Sequence, residues 1–222
     1  MSTQFRRPAM LGPEDAENIA GDYDPATRSD VAHTSAQLLT DLFRGDSRTP
    51  IQLGEASAPP AMLRPRLRDL VASGDVDIVA ELWARQPANT LPGALWRVFL
   101  LREWMRRDPR QTSARYMDGL NAPPDVRAVS SPPTFDQVRS VLEQILQGPD
   151  DSEDDPTDWL AKRLAVAAAA LRVFAAGAAG TDWITDQTDD LADQVTLRAG
   201  ALAATASEMK EAAVLAKQRH LE

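Results

Sequence analysis

Residues 184–213 carry the pattern that most restricts the fold. Ile184, Thr188, Leu191, Val195, Ala199, Leu202, Ala206, Met209 and Ala213 recur at intervals of three and four, the repeat of one face of an α-helix. One additional four-residue step departs from a strict heptad and relaxes the left-handed supercoil a heptad imposes. The spacing predicts one long helix, capped at Thr181 and reaching about Arg219. Ala199, Ala206 and Ala213 would let a partner helix approach closely. The alanine-rich run LAVAAAALRVFAAGAAG, residues 164–180, precedes it. With Gly177 and Gly180 at the turn, an antiparallel hairpin over 157–219 is expected. The last helix then outruns its neighbour, and its distal part needs either the N-terminal helices or a second copy of the chain.

The rest of the chain keeps the same period. Asp24-Pro25 offers a cap followed by proline at the first helical position. Val31, Leu38, Leu39, Leu42 and Phe43 follow, and Gly45 is placed to end that helix. Further helices are expected from about Pro60 to Ala72, over DVDIVAELWARQ up to Pro87, from Pro92 to about Arg107, and from Pro109 to Leu120. Thr134 caps another, FDQVRSVLEQILQ. No stretch alternates with β-branched residues over the length of a strand, so no sheet of consequence is expected.

The expected fold is all-α: about eight helices in a bundle, with a C-terminal antiparallel helical hairpin ending in one long helix. Residues 1–23 read as a flexible acidic tail and 24–148 as a helical domain. The proline-rich NAPPDVRAVSSPP, residues 121–133, is its internal boundary. Residues 149–156 form an acidic linker, and Thr157 caps the hairpin's first helix. The hairpin is expected to pack on the same domain or on a second copy. Leu221-Glu222 reads as a cloning scar.

Composition removes several functions. There is no cysteine, and histidine occurs only as His33 and His220, which leaves little for thiolate chemistry, zinc or histidine-based catalysis. No phosphate-binding glycine loop, G-x-S-x-G or H-E-x-x-H is present. Accordingly no catalytic residue, metal or cofactor is assigned. The apolar run at 164–180 is interrupted by Arg172 and built mainly of alanine, too weak for a membrane span. No apolar run follows the N-terminal arginines as in a signal peptide. A cytoplasmic protein without a membrane partner is expected. Arginine outnumbers lysine 21 to 3, which fits a GC-rich bacterial genome.

Two charged features are candidate partner-binding surfaces. LWRVFLLREWMRRDPR, residues 95–110, interleaves aromatic and basic side chains. With Arg115, its Arg97, Arg102, Arg106, Arg107 and Arg110 make one candidate set. At 100° per residue the apolar side chains of Leu95–Leu101 point all round, so this is expected to be a buried helix whose charged end emerges into solvent. Arg106 and Arg107 suit the helix C-terminus, and Glu103 stands four before Arg107 as a surface pair. The competing expectation is an open arginine patch for nucleic acid or acidic protein, extended by Arg64, Arg66 and Arg68. A net charge of −9 removes the long-range attraction that drives most nucleic-acid binding. LRDLVASGDVDIVAELW, residues 67–83, has a helix-turn-helix outline. Its would-be recognition helix carries Asp75, Asp77 and Glu81, and Leu70 occupies the position that should be small. An ordinary helical hairpin is expected there.

The second feature is acidic. Asp182, Asp186, Asp189 and Asp193 fall within about 60° on one helix face. They read as a solvated face or as a docking stripe for a basic partner, including the arginines of a second copy. DDSEDDPTD, residues 150–158, adds six carboxylates, a linker or a contact segment for a basic surface. The functional expectation is a non-enzymatic, cytoplasmic helical protein–protein interaction or scaffold protein, with a homodimer as one form. The alternative is a nucleic-acid-associated regulatory protein using the arginines of residues 97–115.

Overall fold

The computed structural model describes residues 25–46, 48–53, 56–150, 153–179 and 190–222. Those residues form α1 (Pro25–Leu39), α2 (Pro60–Ser73), α3 (Val76–Trp83), α4 (Leu91–Arg107) and α5 (Pro109–Asn121). They continue as α6 (Pro124–Arg127), α7 (Phe135–Gln147), α8 (Pro156–Ala179) and α9 (Asp190–Lys217). The only strands among them, β1 (Ile51–Leu53) and β2 (Ala56–Ala58), pair antiparallel, with Gln52 opposite Ser57. The fold is an all-α bundle. The expected tail, residues 1–23, lies outside the described residues.

Short polar side chains start the helices where the sequence places them. Asp75 accepts from the Asp77 and Ile78 amides, and Thr90 from that of Gly93. Thr134 and Gln137 form a reciprocal capping box. Each such cap is worth about 1 kcal/mol. The core centres on α4, where Leu95, Val98 and Phe99 are fully buried. Helices α1, α3, α5, α7 and α9 all pack on α4. Trp83 of α3, also fully buried, donates its indole N–H to Ser35 Oγ of α1 at 3.0 Å. The buried Tyr116 donates its hydroxyl to the Pro133 carbonyl at 2.8 Å, which straps the proline-rich segment to α5.

Helices α5 and α8 cross at glycines because nothing larger fits. A Cβ on Gly119 would stand 1.9 Å from the Val173 carbonyl oxygen, and one on Gly177 would stand 2.0 Å from that of Arg115. The sequence reading put Gly177 at a turn. Instead α8 runs through it to Ala179, and its missing side chain serves the crossing. Gly180 lies outside the described residues.

Other boundaries also moved. Helix α1 stops at Leu39 rather than Gly45. Asp41 takes a left-handed conformation, φ 60°, and the Leu42 amide reaches back to the Gln37 carbonyl at 2.9 Å, the closure of a Schellman motif. Arg64 of α2 fixes this end by pairing with Asp41 and donating to the Leu38 carbonyl. Helix α8 is capped by Asp155, not Thr157: its carboxylate accepts from the Thr157 and Asp158 amides, and Pro156 takes the first helical position. The expected boundary at 121–133 contains the one-turn α6. Leu221, set aside with Glu222 as a scar, is buried, and the Glu222 carbonyl accepts from the Leu91 amide at the start of α4.

The expected hairpin is α8 against α9. Arg172 of α8 donates to Ser207 of α9 at 2.7 Å, and Asp155, just before α8, meets Arg219, just past α9, at 2.9 Å. This antiparallel register sets Ala179 opposite about Ala199. Ala206, Met209 and Ala213 of the predicted seam are buried. Ile184 and Thr188 lie outside the described residues. The described parts of the two helices have 24 and 28 residues. Among the described residues, a Cβ on Gly200 would meet nothing within 4 Å.

Candidate interaction face on the central helix

The six candidate arginines do not share one open patch. Arg97 is half-buried and pairs with Glu208 of α9 at 2.7 Å, also donating to the Gly93 carbonyl. Arg102 is only 5% exposed; it donates to the Val71 carbonyl at the end of α2 and lies 3.6 Å from Glu143 of α7. It also covers the Phe99 ring at 5.1 Å. Arg106 and Arg107 are exposed but bend back onto Glu103 at 2.7 and 3.4 Å. Arg115 sits over the Trp104 ring at 5.6 Å. Arg110 is exposed and has no ion pair among the described residues.

Glu103 organises this set and was misjudged as a surface partner. It is 3% exposed and meets Arg102 Nε at 3.1 Å as well as Arg106 and Arg107. Burial pushes its carboxyl up, but the Arg106 hydrogen bond and the charges of all three arginines outweigh burial and hold it below the ordinary range. The room for this cluster comes from Gly74, where α2 ends in a left-handed residue, φ 72°. A Cβ there would stand 2.6 Å from the Arg106 guanidinium and 3.1 Å from the Glu103 carboxylate. The Ser73-Gly74 turn was legible as a helix stop. Its packing on a carboxylate 29 positions later had no local signal.

With these charges spent internally, what α4 offers outward is apolar. At 100° per residue, the buried Leu95, Val98, Phe99, Leu101 and Met105 occupy the arc facing the core. Trp96, Leu100 and Trp104 lie on the remaining strip, at i, i+4 and i+8. Leu100 is 41% exposed, and both tryptophans are half-buried. Trp96 stacks on Phe99 at 5.8 Å and Trp104 leans on Phe174 of α8 at 4.9 Å, so each ring rests on the core with one part open. Arg107 stands at its C-terminal end, with Arg115 against Trp104 and Arg110 at the start of α5. Aromatic side chains next to arginine on a preformed surface are the commonest anchors of protein interfaces.

Of the acidic stripe, Asp182, Asp186 and Asp189 lie outside the described residues, and only the backbone of Asp193, in α9, is described. In DDSEDDPTD, Asp155 is committed to capping α8 and to Arg219, and its carboxyl is held down at about 2 by the Thr157 hydroxyl, the Asp158 amide and Arg219. The helix-turn-helix outline is α2 and α3 joined at Gly74; Asp75 caps α3.

A cleft of about 370 Å³ lies between α1 and the chain's end, lined by His33, Gln37, Arg44, Thr157, Arg219 and Glu222 among others. Arg219 is engaged by Asp155 and His33 Nδ1 by the Ser29 carbonyl at 2.8 Å. Its polar rim therefore has no converging charge of one sign. Among the described residues no group of His, Asp and Glu side chains is arranged to hold a metal ion, and no helix is long and apolar enough to cross a membrane.

Compared with protein-family models, curated proteins and solved structures, the chain matches none.

Proposed function

We propose that this chain is a helical protein–protein interaction module, and that its docking face is the open strip of α4. The observation that carries the reading is the exposed Leu100 between the half-buried Trp96 and Trp104, on a helix whose other sides are buried and which ends in arginines. Large apolar side chains left open on the most central helix of a bundle are costly to hydrate. An amphipathic helix laid along the strip would cover them with anchors at i, i+3, i+4 and i+7. Arg110 and Arg115, which have no carboxylate partner among the described residues, favour acidic residues on that helix. A nucleic-acid ligand is less well served, because four of the six arginines are already bound to protein carboxylates or carbonyls.

The test uses a synthetic helical peptide with leucines at those spacings flanked by aspartates, and the same peptide with lysines instead. The aspartate peptide should quench or shift tryptophan fluorescence on binding, with a Kd at least tenfold below that of the lysine peptide. Leu100→Glu, an exposed position, should weaken it at least tenfold without changing helix content. Equal binding of the two peptides would sink the reading. Salt-dependent binding of duplex DNA or single-stranded RNA, lost in Arg106→Glu/Arg107→Glu, would replace it with the nucleic-acid alternative.

A further inference from the structure

The two ends of the α4 strip differ in charge. At the Trp96 end the neighbouring Arg97 gives its N–H groups to Glu208 of α9 at 2.7 Å and to the Gly93 carbonyl at 3.0 Å. The Glu208 side chain is itself 40% exposed, so a carboxylate arriving there finds no free guanidinium and an open carboxylate instead. At the Trp104 end the balance is reversed. Glu103 is shared among Arg102, Arg106 and Arg107, while Arg110 and Arg115 have no ion pair among the described residues. Arg115 is also held in place, with its guanidinium 5.6 Å from the Trp104 ring. A guanidinium that stacks on an indole keeps its N–H edge for a carboxylate, which a lysine ammonium cannot do. Trp96 and Trp104 are eight residues apart, about 12 Å at 1.5 Å per residue. That exceeds the Debye length of about 8 Å at physiological ionic strength, so a bound helix meets the two ends as separate environments.

We propose that the strip selects a partner helix with a single acidic turn and fixes the direction in which it lies. The acidic turn sits over Trp104, against Arg115 and Arg110, and the turn over Trp96 is free of carboxylates. Arg115 is the specificity-determining residue, and Glu208 is the element that rejects the reversed orientation. This inference rests on reading the strip as a docking face. It goes beyond a general preference for acidic partners, under which every added carboxylate would help wherever it stood.

The test uses three synthetic helical peptides with the same leucines, carrying aspartates in the first turn, in the last turn, or in both. A nitroxide label on the acidic end of each singly acidic peptide is read through the tryptophan indole N–H signals of the full chain. Trp96→Phe and Trp104→Phe assign those signals. For both singly acidic peptides the label should broaden the Trp104 signal and spare that of Trp96. The doubly acidic peptide should bind the wild type no more tightly than the better singly acidic one. Glu208→Gln leaves Arg97 without its carboxylate, so the doubly acidic peptide should then gain about fivefold, the scale of a partly exposed ion pair. Arg115→Gln, with folding checked by circular dichroism, should weaken the singly acidic peptides about fivefold and leave the lysine peptide unchanged. Equal broadening of both indoles, or broadening of Trp96 alone, overturns the fixed direction. So does a doubly acidic peptide that binds the wild type about fivefold tighter than either single one. In those cases an aspartate-over-lysine preference would leave the docking face standing, with only its polarity misassigned. If no peptide binds, or aspartate and lysine peptides bind alike, the docking face and its polarity fall together.

Discussion

The buried carboxylate of Glu103 should be the most sensitive polar position in the molecule, and Glu103→Gln is the cleanest way to test it. The substitution keeps the shape and removes the charge. Arg102, only 5% exposed, is left with the Val71 carbonyl and with Glu143 at 3.6 Å. Removing one partner of a buried pair costs about 3–5 kcal/mol, because a charge remains where water cannot reach it. Two features reduce that figure. Glu143 remains as a partial counter-charge, and Arg106 and Arg107 are exposed enough to turn into solvent at little loss. A loss of about 2–3 kcal/mol is expected, about 4–12 °C in Tm for a chain of this size. Urea titration followed by circular dichroism reads it as a lower midpoint at unchanged slope. Replacing both groups, as Arg102→Leu/Glu103→Leu, should recover at least half the loss, since the penalty lies in the orphaned charge. Arg110→Ala should stay within about 0.5 kcal/mol of the wild type. A Glu103→Gln loss below about 1 kcal/mol would refute the reasoning, and so would a double variant no better than the single.

Two more predictions follow from the packing and the titrating groups. Gly119→Ala places a Cβ 1.9 Å from the Val173 carbonyl oxygen, so urea midpoints should show a loss of at least about 1–3 kcal/mol despite alanine's better helix propensity; Gly177→Ala should behave alike. Asp155 titrates near 2 when folded against an ordinary 3.8, and Glu103 below its ordinary 4.5. Lowered folded values stabilise above the unfolded pKa, so this contribution is complete above about pH 5 and disappears as pH falls through 4 toward 2. Asp155→Asn should flatten that acid limb in urea midpoints measured between pH 5 and 3; an unchanged limb would exclude Asp155 as a contributor.

Much of the bundle was legible because its signals are local. Caps at Asp75 and Thr134, prolines at first helical positions, and the three-and-four spacing of Ala206, Met209 and Ala213 depend on residues within a turn or two of one another. What escaped reading depends on partners distant in sequence. Gly177 looks like a turn to its neighbours and becomes a crossing point only because α5 lies across it. Glu103 looks like half of a surface pair until Gly74 folds over it. Arg102 falls on the core-facing arc of its helix, but the groups that satisfy it there besides Glu103, the Val71 carbonyl and Glu143, lie on α2 and α7. The candidate face was half legible. The aromatic–arginine mixture was visible in LWRVFLLREWMRR, but the reading weighed the arginines, and the structure spends most of those internally and leaves the apolar strip open.

The contact between α5 and α8 bears on how relatives of this chain are to be recognised. Most core positions here are alanine, leucine or valine, and such residues exchange readily when neighbours compensate. Gly119 and Gly177 have no such freedom, because each faces main-chain oxygen, which no neighbouring substitution can move aside. Drift would therefore erase the leucines and alanines while sparing this pair. Two glycines, one near the end of α5 and one late in the alanine-rich α8, with α6 and α7 between them, make a better fingerprint for distant kin than overall identity. The same pair tells a designer which two letters to leave untouched when the rest of the bundle is rewritten.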